Sequence, residues 1–268
     1  MHRFIPTPSF SMVGLGPLKI HVYAICILAG IVIAVLLGQR RYKNLGGNPE
    51  DISDIAVYVI PAGVIGGRIY HVITTPELYF GATGNWQNAF KIWEGGLGIW
   101  GAISLGALVA YLAFRSKERS LTFPQLADAL APGILIAQGV GRFGNWFNAE
   151  LYGKPTDLPW ALKIPIAQRS IDHLADVTYH PTFLYEALWC FAGAVILLKW
   201  KKLRTLPAGK LFLAYILIYT SGRTWIETLR IDSAHTIAGI RLNVWVGGVV
   251  FLVTLLVVLR KAKPKEVE

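Results

Sequence analysis

Apolar residues run along this chain in long blocks separated by short, basic, polar segments. Three blocks, Ile20 to Gln39, Gly95 to Phe114 and Leu242 to Leu259, contain no Asp, Glu, Lys or Arg. Each has about the length a helix needs to cross a hydrocarbon core of ~30 Å. Four further blocks are interrupted by ionisable residues: Ile55 to Ile73 by Arg68, Leu126 to Phe147 by Asp128 and Arg142, Pro181 to Leu198 by Glu186, and Leu211 to Ile226 by Arg223. The pattern predicts an all-α integral membrane protein with seven transmembrane helices. Composition agrees: 54% of the 268 residues are hydrophobic and 16% charged, with a mean hydropathy of +0.47, too apolar for an ordinary soluble core. Without internal repeats or low-complexity segments, residues 1–268 read as a single polytopic membrane domain.

The distribution of Lys and Arg sets the expected orientation, because short positively charged loops stay in the cytoplasm. Alternate connections carry Arg40, Arg41 and Lys43; Arg115, Lys117 and Arg119; Lys199, Lys201, Lys202, Arg204 and Lys210; and Arg260, Lys261, Lys263 and Lys265. These place the N-terminus outside and the C-terminus in the cytoplasm, with residues 261–268 as a solvated tail. The start of the chain lacks the basic n-region and small-residue cleavage site of a secretory signal, so Ile20 to Gln39 reads as a retained span. The longest connection, residues 148–180 between helices four and five, is then extracytoplasmic. The net charge of +10 needs no nucleic-acid partner: its cations fall in inter-span clusters, which anionic lipid and the positive-inside bias explain. Cys26 and Cys190 lie within apolar stretches and read as packing residues. No His, Cys or carboxylate grouping has metal-ligand spacing, and there is no nucleotide-binding phosphate loop, so neither metal nor cofactor is expected.

Ionisable groups at membrane depth are costly and mark function by default. Arg142 and Asn145, at i and i+3, share a helix face, and Gly141 and Gly144 beside them permit close approach of a neighbour. Asn148 and Glu150 follow, which makes simple snorkelling of Arg142 an incomplete account. Arg223, Glu227 and Arg230 stack at i, i+4 and i+7. One Glu between two Arg leaves a positive charge in excess, for which an anion is the natural partner. Guanidinium groups suit phosphate, so Arg142 and Arg223 could clamp a phospholipid headgroup. His180 precedes Pro181 at the opening of the fifth long helix, as a local cap or a site residue. Tyr23, in the first turn of helix one, fits an aromatic belt as well as a site. Gly63 and Gly67, before Arg68, have GxxxG spacing.

The segment Gly141-Arg142-Phe143-Gly144-Asn145-Trp146-Phe147-Asn148-Ala149-Glu150, followed by Gly153, resembles the signature of the prolipoprotein diacylglyceryl transferase family, G-R-x-G-N-F-x-N-x-E and a later Gly. His180-Pro181-Thr182 with Tyr185-Glu186, Gly222-Arg223 with Glu227 and Arg230, and Gly66-Gly67-Arg68 resemble further family segments in the family's order. The resemblance implies an enzyme of the bacterial cytoplasmic membrane, its site facing the extracytoplasmic side. It would transfer the diacylglyceryl group of phosphatidylglycerol to the lipobox cysteine of a prolipoprotein signal peptide. It implies roles for Arg142, Arg223, Glu150, Glu227, Tyr23 and His180 in catalysis. For Arg142, Asn145, Gly153, Arg230 and Arg68 it implies substrate binding.

One position departs from the family pattern. Many members carry a His followed by two Gly in the third helix's glycine run, where this chain has Trp100, Gly101 and Ala102. Trp accepts no proton, so either no dedicated base is needed or Glu150, Glu227 or His180 is the expected acceptor of the thiol proton. A free thiol is already ionised to a few per cent near neutrality. The competing readings are a small-solute transporter, which predicts polar groups across the full membrane depth, and a phospholipid-binding protein without turnover.

Overall fold

The computed structural model describes residues 4–16, 18–81 and 84–260. Among them are seven helices of at least 17 residues: α1 (Val22–Asn44), α2 (Glu50–Thr74), α3 (Ile99–Arg115), α4 (Phe123–Asn148), α5 (Thr182–Lys199), α7 (Lys210–Glu227) and α8 (Leu242–Leu259). A single turn, α6 (Lys201–Arg204), precedes α7. Each expected span has its helix, and α1, α2, α5 and α8 are long and apolar enough to cross a membrane. Their surfaces are inverted relative to a soluble protein. Leu28, Val32 and Leu36 of α1 and Val249, Leu252, Val253 and Leu256 of α8 are exposed, while Arg68, Glu186 and Glu227 are buried. Lipid is the solvent that makes such a surface stable, because apolar side chains facing it lose nothing.

The helix boundaries differ from expectation where backbone pairing intervenes. Ile20 belongs to a strand, not to α1: β2 (Met12–Leu15) pairs antiparallel with β3 (Leu18–His21), and the Val22 amide donates to Ser11 O at 2.9 Å. Gly95 and Gly96, expected inside the third span, have φ of 88° and 74°, a conformation that stops them joining α3. Pro181 caps α5 rather than occupying its first turn. The expected tail, 261–268, lies outside the described residues.

The chain divides into two compact units. The first contains the described residues up to 37 and from 127 onward. Its helical core joins α4, α5 and α7 through Ala131, Leu135, Cys190, Ala194, Leu197 and Leu211. Small residues allow the helices to approach: a Cβ on Gly30 would lie 3.1 Å from Cα of Ala137, and one on Gly133 3.0 Å from Cα of Ala34. Asp128, one of the charges inside an apolar block, accepts hydrogen bonds from the Gly209 and Phe212 amides at 2.6 and 2.7 Å. It thereby satisfies two of the orphan donors at the start of α7.

The connection expected to be open loop has a core of its own. β4 (Leu162–Lys163) pairs parallel with β1 (Ile5–Pro6) and antiparallel with β5 (Thr178–Tyr179). Tyr152, Leu162, Ile164 and Tyr179 bury together against Phe183 at the start of α5. A second hairpin, β6 (Thr236–Ile237) with β7 (Ile240–Arg241), leads into α8.

The second unit, Gly38–Leu126, is built on α2 against α3. Its tight point is Gly66 opposite Gly101, where a Cβ on either would meet the other's carbonyl oxygen, and the Gly98 amide donates to Gly67 O at 2.8 Å. Gly63 is looser, its nearest neighbour being Ala102 O at 3.8 Å from a Cβ placed there. The close contact is therefore carried by the glycine pair before Arg68 rather than by the GxxxG spacing.

Candidate active site

Three helix ends of the first unit bring four arginines and three carboxylates into one ion-paired set. Glu186, in the second turn of α5, is 4% exposed and stands between Arg142 of α4 and Arg223 of α7. Its Oε1 is 2.8 Å from Arg142 Nη2 and its Oε2 3.2 Å from Arg223 Nη1. Arg223 also reaches back along α7, placing Nη2 2.9 Å from Oε2 of Glu227, the i, i+4 contact expected from the spacing. Glu227 is fully buried, and its remaining partners come from beyond α7. Arg230 Nη1 lies 3.3 Å from Oε2, while Arg241 Nε and Asn243 Nδ2 donate to Oε1 at 2.9 and 3.0 Å. Asp232 completes the set with bonds of 2.7 and 2.8 Å from Arg230 and 2.9 Å from Arg241.

This arrangement follows from how costly a buried charge is. Removing a carboxylate from water is compensated only by good pairing and hydrogen bonding, and each oxygen of Glu227 meets two donors. The expected positive excess persists with different members. Arg142, Arg223, Arg230 and Arg241 against Glu186, Glu227 and Asp232 leave one positive charge over. Asp232 lies in the connection after α7; burial pushes its carboxyl upward, but the Arg230 hydrogen bond and the charges of Arg230 and Arg241 outweigh this and hold it below the usual range.

Arg142 extends the set in the other direction. Its Nη1 donates to Asn145 Oδ1 at 3.3 Å, and Asn145 Nδ2 donates to Glu150 Oε1 at 2.8 Å, which also accepts from Asn148 Nδ2 at 3.2 Å. Glu150 is held between two residues of unusual backbone conformation, Ala149 with φ 53° and Leu151 with φ 58°. A residue with a Cβ rarely adopts the left-handed region, at a cost on the order of 1–2 kcal/mol per residue. The strain is retained where it turns Glu150 back onto the last turn of α4. Leu151 is fixed in turn by Thr182, whose hydroxyl donates to its carbonyl at 2.5 Å.

Gly153 sits where the connection crosses the end of α7. Its amide donates to His180 O at 3.0 Å, the Lys154 amide donates to Leu229 O at 2.8 Å, and Gly153 forms a β-bridge with Arg230. A Cβ here would lie 2.8 Å from Cβ of His180. The His180 ring places Nδ1 3.1 Å from the Tyr185 hydroxyl; burial first, and the Lys154 charge second, hold its pKa below the ordinary imidazole value. Tyr23 packs its ring on Gly144 and remains 38% exposed.

Arg68 belongs to the other unit. Buried there, it donates to the carbonyls of Ala89 (2.8 Å), Gly95 (2.5 Å), Gly96 (3.0 Å) and Asn88, with Tyr79 5.3 Å from its guanidinium carbon. These bonds gather the connection between α2 and α3 onto one side chain.

Sequence spacing identified Arg142, Asn145, Glu150, Arg223, Glu227 and Arg230, and the fold assembles them. Asp232, Arg241 and Asn243 were missed as members of the set. Asp232 and Arg241 lie in a polar connection, where charge is the norm, and nothing local distinguishes them. Glu186 carried a signal, a carboxylate inside an apolar block, but its two arginine partners lie 44 and 37 residues away along the chain.

Comparison with known proteins bears on what such a site does. A sequence model of the prolipoprotein diacylglyceryl transferase family matches residues 11–260. Among curated relatives, the phosphatidylglycerol–prolipoprotein diacylglyceryl transferase of Cutibacterium acnes is 52% identical over 94% of this chain and 86% of its own length. That of Bifidobacterium adolescentis is 50% identical over 93% of this chain and 77% of its own. Enzyme 1 of that name in Streptomyces coelicolor is 50% identical over 98% and 75%.

Proposed function

This chain belongs to the prolipoprotein diacylglyceryl transferase family, and from that premise we propose that it transfers the sn-1,2-diacylglyceryl group of phosphatidylglycerol to the lipobox cysteine thiol of a prolipoprotein signal peptide. The products are a thioether-linked lipoprotein precursor and glycerol 1-phosphate. In this reading the protein crosses the bacterial cytoplasmic membrane seven times, N-terminus outside and C-terminus inside, with the arginine cluster toward the extracytoplasmic side. The alternation of basic and non-basic connections supports that orientation.

The observation that carries the reading is the pairing of Arg142 and Arg223 across Glu186. Both guanidinium groups keep an accessible edge, their side chains 21% and 19% exposed, while Glu186 is 5% and Glu227 0% exposed. The carboxylates fix the two forks from behind and leave donors turned toward a ligand. Two planar forks that share one carboxylate suit the oxygens of a phosphodiester. The single positive excess of the ion-paired set matches the single negative charge of that group.

Chemically, the sulfur displaces glycerol phosphate from the glyceryl carbon. Arg142 and Arg223 hold the phosphate and stabilise the charge that gathers on it as the C–O bond breaks. Asn145 and Glu150 orient Arg142 from one side; Glu227 and Arg230 orient Arg223 from the other. Gly153 lets the outer connection close onto Arg230, His180 neighbours that crossing, and Tyr23 packs on Gly144, next to Asn145. Arg68 orders the connection between α2 and α3.

Mass spectrometry of a lipobox peptide incubated with the purified protein and phosphatidylglycerol tests this. A diacylglyceryl mass gain on the thiol peptide, absent from a Cys→Ser peptide and lost with Arg142→Ala, is the expected result. Binding of lipid and peptide without any gain would replace the transferase with a lipid-binding protein.

A further inference from the structure

The transfer releases a thiol proton, and Trp100 cannot accept it. We propose that Glu186 does: it accepts the proton from the acceptor cysteine and passes it to the departing glycerol phosphate. The inference rests on the transfer reading above and assigns a step within it.

Geometry separates Glu186 from the other candidates. Both oxygens of Glu227 are saturated, Oε2 by Arg223 and Arg230 and Oε1 by Arg241 and Asn243. Glu150 is tied to Asn145 and Asn148 and meets Arg142 through an amide. His180 bonds Tyr185 through Nδ1, and among the described residues no hydrogen bond or ion pair joins it to Arg142 or Arg223. Glu186 contacts both Arg142 and Arg223, and its Oε1, though buried, accepts no hydrogen bond among the described residues. The 2.8 Å approach of Arg142 Nη2 engages one of the two lone pairs of that oxygen and leaves the other available. Glu186 also borders a cavity of about 10 Å³ shared with Arg142, Asn145, Thr182 and Arg230, the volume of about one water molecule and one that a proton path can use. The charged and titratable groups around it are Arg142 from α4, Arg223 and Tyr219 from α7, Cys190 from the next turn of α5, and Arg230 beyond α7.

Charge balance gives the step its direction. The ion-paired set carries one positive charge in excess, which a phosphodiester cancels. When sulfur attacks, the S–C bond forms, the C–O bond breaks and its electron pair leaves with the phosphate, which gains a second negative charge. Moving the thiol proton onto Glu186 removes one negative charge from the set at that moment, so the buried site stays neutral throughout. Glu186 then gives the proton to the phosphate oxygen, releasing glycerol phosphate as the monoanion and restoring the carboxylate. Atoms and electrons close without an added reagent.

The test uses Glu186→Gln and Glu186→Asp in the full-length protein with phosphatidylglycerol vesicles, and two lipobox peptides. One peptide carries cysteine and the other selenocysteine, whose selenol is ionised at neutral pH and needs no acceptor. With the thiol peptide, Glu186→Gln is expected to lose about 100-fold or more in kcat near pH 7, the usual scale of general-base catalysis. The rate should recover as pH rises toward the thiol's own pKa, and Glu186→Asp should be intermediate. With the selenol peptide the loss in Glu186→Gln is expected to be much smaller than with the thiol peptide, since only the proton-transfer part of the defect is bypassed. An undiminished thiol rate in Glu186→Gln overturns the proposal. So does an equal loss with both peptides at every pH, which would make Glu186 a positioning residue only. Absence of transfer by the wild-type protein to either peptide would instead sink the transferase reading itself.

Discussion

Arg241, the residue that caps the start of α8, places its Nε 2.9 Å from Oε1 of Glu227 at the end of α7. The same guanidinium donates to the carboxylate of Asp232 at 2.9 Å and to its carbonyl at 2.7 Å. One side chain thus joins α7, α8 and the connection between them, behind a carboxylate whose other oxygen holds Arg223. The fork matters, because two separate directions must be served at once.

Arg241→Gln is therefore expected to act on Arg223 through Glu227. A charged partner left short of a hydrogen bond costs about 1–3 kcal/mol, so transfer activity should fall about tenfold or more, with a lowered unfolding temperature. Arg241→Lys, which keeps charge without the fork, should recover stability more than activity. Equal rates in Arg241→Gln and the wild type would show that Glu227 needs no support from α8.

Asp232 makes stability depend on acid. Its carboxyl is held below the ordinary aspartate value of about 3.9 by Arg230 and Arg241, against the upward push of burial. The folded state therefore binds its proton less readily than the unfolded chain. This contribution is fully present above the unfolded value and is lost as pH falls through the folded one. In thermal unfolding followed from about pH 7 to about pH 3, the gap between wild type and Asp232→Asn should stay constant down to about pH 5 and narrow below about pH 4. A gap that does not change with pH would mean that the pairing contributes nothing.

Gly153→Ala tests the crossing of the outer connection over α7. The new methyl would meet Cβ of His180 at 2.8 Å and Leu229 O at 3.1 Å, groups that cannot swing away. Such overpacking costs about 1–3 kcal/mol, and displacement of the bridge to Arg230 should lower activity along with unfolding temperature. Normal activity in Gly153→Ala would show that Arg230 is positioned independently of this bridge.

Arg68→Ala should loosen the connection between α2 and α3. Four carbonyls lose their donor together, and at about 1 kcal/mol net for each bond the segment becomes markedly easier to open. Limited proteolysis should then cut within residues 86–96 faster than in the wild type. An unchanged cleavage rate would place the order of this segment in its aromatic contacts instead.

The long helices were legible in the sequence because a hydrocarbon solvent imposes a local rule: every backbone group must be satisfied within the segment over a fixed thickness. Apolar length, uninterrupted for α1, α3 and α8 and broken by one or two ionisable residues for α2, α4, α5 and α7, therefore located the helices without reference to any distant residue. The i, i+3 and i, i+4 spacings were equally local, so Arg142 with Asn145 and Arg223 with Glu227 could be paired on sight, and family resemblance supplied their chemistry.

The fold alone decided where the interrupting charges go. Asp128 ends on the start of α7, 81 residues away. Arg68 is spent on a loop, and Glu186 is placed between two arginines from different helices. The core that turned residues 149–181 from open loop into a packed layer depends on pairing between distant strands, β1 with β4. Periodicity within a segment cannot encode those contacts, because their free energy arises only when remote parts of the chain meet. The sequence by itself determined a helical membrane protein and the residue types of its site; tertiary structure decided which carboxylate each arginine would face.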